Sequence, residues 1–244
     1  MYNEATVSTC VRSPIYCESC PTRLAGVFAR LSRDRLRALD RCKADNLYHK
    51  GQIIFQEGTP ALGVHCVYEG QLKLYKSGTQ GRPQIIGLAK PGTMVGHRAV
   101  LTDKAHTFTA ESLGEARVCF VDRSAFRALI ADNASIAESL LKKMAQDLDE
   151  AEDRLIDVVE QPVPVRLARL LMSLKDGYGQ PTAQGLRISL SLTREEMAEM
   201  IGTTQETTIR LLSQFRKKGL IRLDDKSITL LDLPQLAQIV SSPT

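Results

Sequence analysis

Two groups of residues in this chain have the types and spacing to do chemistry. The first is cysteine. Cys10, Cys17 and Cys20 stand as C-x6-C-x2-C with Pro21 following, and Cys42, Cys66 and Cys119 lie further on. Thiolates bind soft metals and exchange disulfides, so a Cys-x2-Cys pair suits a metal centre or a thiol/disulfide switch. The second group lies in residues 193–219, TREEMAEMIGTTQETTIRLLSQFRKKG. Arg210 can donate two hydrogen bonds to guanine O6 and N7, and Glu206 can accept one from cytosine N4. One helical turn apart, the two could read neighbouring G·C information in a major groove. From 207 to 222 the chain carries Arg210, Arg216, Lys217, Lys218 and Arg222 with no acid, which suits contact with phosphates.

Two short helices joined by a glycine turn would position these side chains. Thr193 and Glu196 have capping-box spacing, Met197, Ala198 and Ile201 give the first helix an apolar face, and Gly202 ends it. Thr203 or Thr204 caps the second helix. There Ile209, Leu212 and Phe215 recur at three-residue spacing as a packing face, leaving Gln205, Glu206 and Arg210 free. In a helix-turn-helix it is the start of the second helix that meets base edges. Structural readings stand beside these: Thr203-x-x-Glu206 is itself a capping box, and basic residues at a helix C-terminus complement its dipole. Residues 220–223, Asp224-Asp225 and 227–231 read as strand, turn and strand, the wing of a winged helix.

The remaining chain supplies a frame. At 244 residues, 43% hydrophobic and 25% charged, it has length for two domains of ordinary globular composition. The net charge of +4 is mild, so the local basic run carries the nucleic-acid argument. No apolar run reaches membrane-spanning length and MYNEATVSTCVRSP lacks the apolar core of a signal peptide, so a cytoplasmic protein with no membrane partner is expected. Six cysteines there would be reduced, metal-bound or redox-active rather than a disulfide framework. Ser32 caps a helix, RDRLRALDRC, with Leu36, Leu39 and Cys42 on one core face. Residues 47–122 are β-rich and glycine-punctuated with no helical crossover, a small barrel or jelly roll. Within it Cys66 shares a packing face with Val64 and Tyr68, whereas Cys119 lies with Arg117 and Val121, opposite Val118 and Phe120, away from a purely core role.

A helix from Arg123 breaks near Asp132-Asn133, and a longer one runs to Gln161. Leu141, Met144, Leu148, Ala151, Leu155 and Val158 make an a/d seam on it, among seven acids between 141 and 160. The seam either packs on its own barrel or pairs two chains in a parallel homodimer; the polar flanks favour the dimer. Pro162 and Pro164 then form a hinge. A helix over 165–174 follows, with Leu167, Leu170, Leu171 and Leu174, and a Gly/Pro/Gln loop leads into the helix pair. His49, His65, His97 and His106 are scattered, with no His-x-His and nearby Glu for a cupin-like metalloenzyme and no Ser/His/Asp or P-loop spacing, so no enzyme is expected.

Barrel, long helix, proline break and winged helix in this order resemble the catabolite-activator/FNR (CRP/FNR) family of bacterial transcription regulators, closest to the FNR-like branch. KGQIIFQEG, YEGQLKLY, VRLARLLMSL and GTTQETTIRLLSQFRKKGLI carry the resemblance. It implies an α+β fold: a cysteine-bearing segment (1–26), a cyclic-nucleotide-binding-like β-roll (27–132), a dimerisation helix (133–161) and a winged helix-turn-helix (162–244). It also implies a homodimer on double-stranded promoter DNA, in contact with RNA polymerase. Thr204, Gln205, Glu206, Ile209 and Arg210 fall in the DNA-contacting stretch, with Arg216, Lys217 and Lys218 at its basic end. Glu206 and Arg210 match the common pair, while Gln205 and Ile209 depart from the best-known members. Cyclic-nucleotide binders have Gly-Glu for the ribose and Arg-Ser or Arg-Thr for the phosphate. Gly96-His97 and His106-Thr107 stand there instead, so cAMP is not expected, although Arg98 or Lys104 could meet another anion. The FNR-like branch holds a four-iron, four-sulfur cluster, and the matching ligands are Cys10, Cys17, Cys20 and Cys119. The spacing departs from the best-known pattern, which puts the short gap first, so a zinc site, a thiol/disulfide switch and structural cysteines stay open.

Overall fold

A computed structural model describes residues 15–78, 83–190, 192–224 and 227–241. The described chain enters through a 3-10 turn, Pro21–Ala25, and α1 (Arg33–Cys42), whose first turn is capped by the Ser32 hydroxyl accepting from Arg35 N. Leu36 and Leu39 are buried, but Cys42, expected on the same core face, is exposed. Each three-residue step falls about 60° short of a full turn, so two steps from Leu36 carry Cys42 off the buried face.

Eight strands follow: β1 (Lys43–Tyr48), β2 (Ile53–Phe55), β3 (Gly63–Glu69), β4 (Leu72–Ser77), β5 (Pro83–Ala89), β6 (Met94–Val95), β7 (Thr109–Ser112) and β8 (Ala116–Asp122). They form two antiparallel sheets, ordered β1-β8-β3-β6 and β2-β7-β4-β5. Phe55, Val67, Leu72, Ala89 and Val118 belong to one cluster, while Val64 and Val121 pack with Leu36 and Leu39 of α1 in a second. The face of β8 that carries Cys119 is therefore also a core face, and Cys119 is 9% exposed, contrary to the outward position the alternation suggests. One helix does interrupt the strands: α2 (His97–Thr102), entered through Gly96 at φ 84. Six residues are too few to show a helical period in the sequence.

Asp122 caps α3 (Arg123–Ala131), and α4 (Ala134–Glu160) follows the expected break. Of α4 only Ile136 and Leu140, near its start, are buried. Gln161 is extended, and Pro162 is the N-cap of α5 (Val163–Tyr178), with Pro164 in the first turn where its missing N–H costs nothing. The Gly/Pro/Gln stretch expected as a loop instead contains β9 (Gly179–Thr182) and β10 (Gly185–Ile188). Pairing of β10 with β12 gives that stretch a ladder that its own composition does not advertise. Then come α6 (Arg194–Ile201), α7 (Gln205–Lys217), β11 (Ile221–Asp224), β12 (Ser227–Leu230) and α8 (Leu233–Ser241), with the third sheet ordered β11-β12-β10-β9. Leu167, Leu171, Leu212, Leu220, Leu230 and Leu236 centre this domain's core. Leu113 of the barrel joins the same cluster, and Lys73 of β4 reaches both Glu111 (3.0 Å) and Glu196 (3.2 Å). No helix among the described residues is long and apolar enough to cross a membrane.

Candidate nucleic-acid interface and thiol pocket

The α6–α7 pair is built as a helix-turn-helix needs to be. Thr193 Oγ1 accepts from Glu196 N (3.0 Å) and Glu196 Oε2 from Thr193 N (2.8 Å), a complete capping box. Burial pushes the Glu196 carboxyl up, but the Thr193 backbone N–H and Lys73 outweigh it and hold the group below its usual range. Gly202, at φ 62, makes the left-handed turn that favours glycine. Of the two candidate caps for α7 it is Thr204 that serves, accepting from Thr207 N (3.2 Å). Glu206 is consequently not the partner of a Thr203 capping box. Among the described residues the side chain of neither Glu206 nor Arg210 has a hydrogen bond or ion pair.

Thr208, Leu211, Leu212 and Phe215 are the buried face of α7. Ile209, placed on the packing face by the three-residue spacing, is 49% exposed. It sits about 100° from Thr208 and on the same side as Gln205, Glu206 and Arg210. Thr204, Gln205, Glu206, Arg210, Arg216, Lys217 and Lys218 are exposed as well. Arg216 and Lys217 extend that outward face toward the end of the helix, where Gly219 (φ 73) terminates it. Arg222 is different: it lies on β11 and pairs with Asp224 at 3.6 Å, so its charge is partly used within the wing. Wing strands β11 and β12 pair with Asp224 opposite Ser227.

The cysteines are brought together by the other end of the chain. Cys17 and Cys20 lie at the entry of the Pro21–Ala25 turn, and the backbone of this segment is fastened to side chains of α1 and β1. Ile15 N donates to Asp45 Oδ2 (3.0 Å), Cys17 N to Asp40 Oδ1 (2.8 Å), and Lys43 Nζ to Ile15 O. A Cβ on Gly26 would stand 2.9 Å from Gly92 O, so segment and barrel meet backbone to backbone. The result is a cavity of about 60 Å³ lined by Cys17, Cys20, Cys66 and Cys119 with Leu39 and Met94. Cys66, assigned to packing by its strand pattern, belongs to this group; its signal in the sequence was only that its strand neighbours another cysteine-bearing strand. Cys10 lies outside the described residues.

The thiols share a pocket and not a finished coordination sphere: among the described residues no three His, Cys, Asp or Glu are gathered so that they could hold an ion. Cys119 Sγ donates to Asp45 Oδ1 (3.3 Å), and Cys20 Sγ lies 3.2 Å from Thr22 Oγ1. Burial, and then Asp45, push the Cys119 thiol up to about 12; burial likewise raises Cys17 and Cys66. Lys43, with its side chain 5% exposed, contacts Asp45 (2.9 Å) and Asp40 (3.8 Å) beside the pocket.

Where a cyclic nucleotide would be held, His97 is 4% exposed and His106 stacks on Phe55 with ring centroids 3.9 Å apart. Burial lowers the His97 pKa to about 4, and neither ring nitrogen makes a hydrogen bond, although Asp147 Oδ2 stands 4.0 Å from Nε2. The long helix carries its apolar seam outward: Leu141, Leu148, Leu155 and Val158 are 69%, 58%, 63% and 56% exposed, Ala151 is exposed and Met144 half-buried. Their own barrel does not cover them. Val159, 72% exposed and four residues after Leu155, lies in the same stripe and was overlooked in favour of Val158.

A barrel of the cyclic-nucleotide-binding type joined through a long exposed helix to a winged helix-turn-helix defines a DNA-binding transcription regulator. Models of the cyclic nucleotide-binding domain and the Crp-like helix-turn-helix domain match residues 46–133 and 165–239. The chain is 30% identical over 214 residues to a CRP-like cAMP-activated global transcriptional regulator of Mycobacterium tuberculosis, covering 88% of this chain and 96% of that one. It is 25% identical to an anaerobic regulatory protein of Haemophilus influenzae, covering 93% and 89% of the two chains. Among solved structures it resembles FixK2 of Bradyrhizobium japonicum at TM-score 0.74 and 25% identity, over 83% of this chain and 99% of that one. The chain belongs to the CRP/FNR family, which is one of transcription regulators and not of enzymes.

Proposed function

We propose that this regulator binds promoter DNA as a homodimer and that its binding responds to oxygen or redox state through an iron–sulfur cluster held at the thiol pocket. The observation that carries the reading is the convergence of Cys17, Cys20 and Cys119 on one cavity, although about a hundred residues separate the last from the first two. The donor set fits such a group in kind: soft thiol ligands, apolar walls at Leu39 and Met94, and a buried lysine beside them. Bound there, a four-iron, four-sulfur cluster would supply oxygen-sensitive redox chemistry. For this chain's own residues, holding it means turning the Cys20 and Cys119 side chains from Thr22 and Asp45 into the cavity. Because Cys119 is on a barrel strand and Cys17 and Cys20 are on the entering segment, ligation would tie the two together.

On the DNA side, Gln205, Glu206, Ile209 and Arg210 enter the major groove, Thr204 lies at its edge, and Arg216, Lys217 and Lys218 meet phosphates. The outward stripe of α4 pairs with its copy, since two recognition helices must reach half-sites one DNA turn apart. The barrel does not take cAMP: the relative from Mycobacterium tuberculosis is described as cAMP-activated, but here buried His97 and stacked His106 replace the carboxylate and guanidinium such a ligand needs. Anaerobic purification, with the absorbance spectrum and iron and sulfide per chain, tests the sensing half. Gel shifts with and without air test its link to DNA. A colourless anaerobic protein that takes up no iron and sulfide would reject the cluster, and a reversible Cys17–Cys20 disulfide in its place would support a thiol switch.

A further inference from the structure

The family resemblance takes its fourth thiol from Cys10, but the fold brings a different cysteine to the pocket. Strands β3 and β8 are antiparallel neighbours with Cys66 directly opposite Cys119. Residues so paired have Cα atoms about 4.5 to 5.5 Å apart and project from the same face of the sheet. On that face lies the segment bearing Cys17 and Cys20, and all four cysteines line the one cavity. We infer that Cys17, Cys20, Cys66 and Cys119 are the four ligands of a tetrathiolate soft-metal site, in which Cys66 takes the place of Cys10. The inference rests on the proposed metal-centre reading for its ligand class, but not on whether the centre is a cluster or a single ion.

Three features support this set. The donors come as two plus two: a Cys-x2-Cys pair, whose short loop suits two bonds to one centre, and a cross-strand pair whose backbones are fixed by the β3–β8 ladder. The placement does not depend on metal, because the close approach of Gly26 to Gly92 O and the Ile15 N to Asp45 bond already seat the segment on the barrel, while the Cys17 N to Asp40 bond ties it to α1. Charge is also provided for. Four thiols binding a divalent ion, or a cluster core of charge +2, release four protons and leave a site of charge −2, with no electron gained or lost. Lys43 stands beside it with its side chain 5% exposed. Asp45, which now accepts from Cys119 Sγ, keeps Lys43 as its partner when that thiol proton leaves.

The test uses the full chain as wild type, Cys10→Ser and Cys66→Ser, prepared anaerobically and given either zinc or equal amounts of ferrous and ferric iron with sulfide. Metal and sulfide are counted per chain after desalting. Cobalt titration supplies a second readout, because the intensity of its thiolate charge-transfer bands reports how many thiolates bind, and thermal melting checks that the Ser variant folds. Expected are wild-type loading and full cobalt intensity for Cys10→Ser, with loss of both for Cys66→Ser. Should Cys66→Ser fail to fold, the Cys10→Ser cobalt spectrum still decides: an undiminished spectrum supports the inference, and a missing thiolate overturns it. Loss in Cys10→Ser with retention in Cys66→Ser overturns the inference and leaves the cluster reading intact. Zinc bound through Cys66 with no cluster formed supports the inference and overturns the cluster. A wild type that takes up neither metal overturns both.

Discussion

Replacing Ala151 by Leu should convert a weak dimer into a strong one, and the size of the effect follows from the exposure of the α4 stripe. Leu141, Leu148, Leu155 and Val158 are between 56% and 69% exposed in the single chain. Fully burying one such side chain is worth about 1.5–3 kcal/mol, so covering the exposed part of all four on both helices gives roughly 7–14 kcal/mol. Association costs about 4–15 kcal/mol before any contact contributes, and the two sides nearly cancel. Acidic repulsion subtracts less than the sequence suggests. Asp147 pairs with Lys143 (3.0 Å), Glu150 with Arg154 (3.4 Å), and Asp157 with Arg169 of α5. Ala151→Leu adds three carbons per chain at about 0.8 kcal/mol each. Even if half-buried they contribute about 2–3 kcal/mol per dimer, tightening the constant roughly a hundredfold. Leu148→Asp should weaken it by about 2 kcal/mol or more and abolish gel shifts without altering the melting of the barrel. Sedimentation over a concentration series reads both. An unchanged dimer constant in Ala151→Leu would show that the stripe is not the interface.

Arg210→Ala should cost about 1–3 kcal/mol on a selected site and relax one base position, as read by competition gel shifts with single-base variants. Lys217→Ala or Lys218→Ala should weaken all sequences alike and reduce the slope of log K against log salt by about 0.9 each. His97, facing Lys143, Arg98 and Asp147, has its pKa lowered by burial to about 4 in the folded protein, against the ordinary histidine value of 6.5. The unfolded chain therefore binds the extra proton first, and stability present above about pH 6.5 is lost as pH falls toward 4. About 2 kcal/mol should disappear between pH 7 and 5 in urea titrations, and His97→Leu should remove that part of the slope. Lys73→Met strands two part-buried carboxylates, Glu111 and Glu196, and should destabilise the protein by about 3 kcal/mol in the same assay.

How much of this was legible depended on whether the determining interaction was local. The capping box at Thr193, the glycine turn at Gly202 and the cap at Ser32 were readable because cap and partner lie within a few residues. Ile209 and Cys42 were misplaced by counting in threes along a helix that turns every 3.6 residues, an error that grows with each step. The β9–β10 hairpin and α2 were missed for another reason: β10 owes its ladder to β12, some forty residues on, and α2 is shorter than any window that reveals a period. Cys66 was the most consequential omission. Alternation along β3 says only which way it points; that it stands opposite Cys119 is a fact of register between strands about fifty residues apart.

The same distinction bears on how a signal at the thiol pocket could reach the DNA. α1, β3 and β8 wall the pocket, and the second core cluster runs from their residues Leu39 and Val121 to Phe126 of α3 and Ile136 and Leu140 of α4. Movement of the cysteine-bearing segment therefore bears on the buried start of the helix whose far end carries the exposed stripe. That far end is joined to the DNA-binding domain by the Asp157–Arg169 pair, while the barrel touches the domain separately through Lys73 and Glu196. Glu196 is shared: the carboxylate that completes the Thr193 cap also takes the lysine of β4. A route through dimerisation and a route through Lys73 make different demands. Lys73→Met should leave signal dependence of the dimer constant untouched if the α4 path carries the signal, and should erase signal dependence of DNA binding even in the Ala151→Leu dimer if the direct path does. A near-balance of seam burial against the cost of association would favour the first, because a dimer so poised would turn a change of about 2–3 kcal/mol into a roughly hundredfold shift in the population able to span two half-sites.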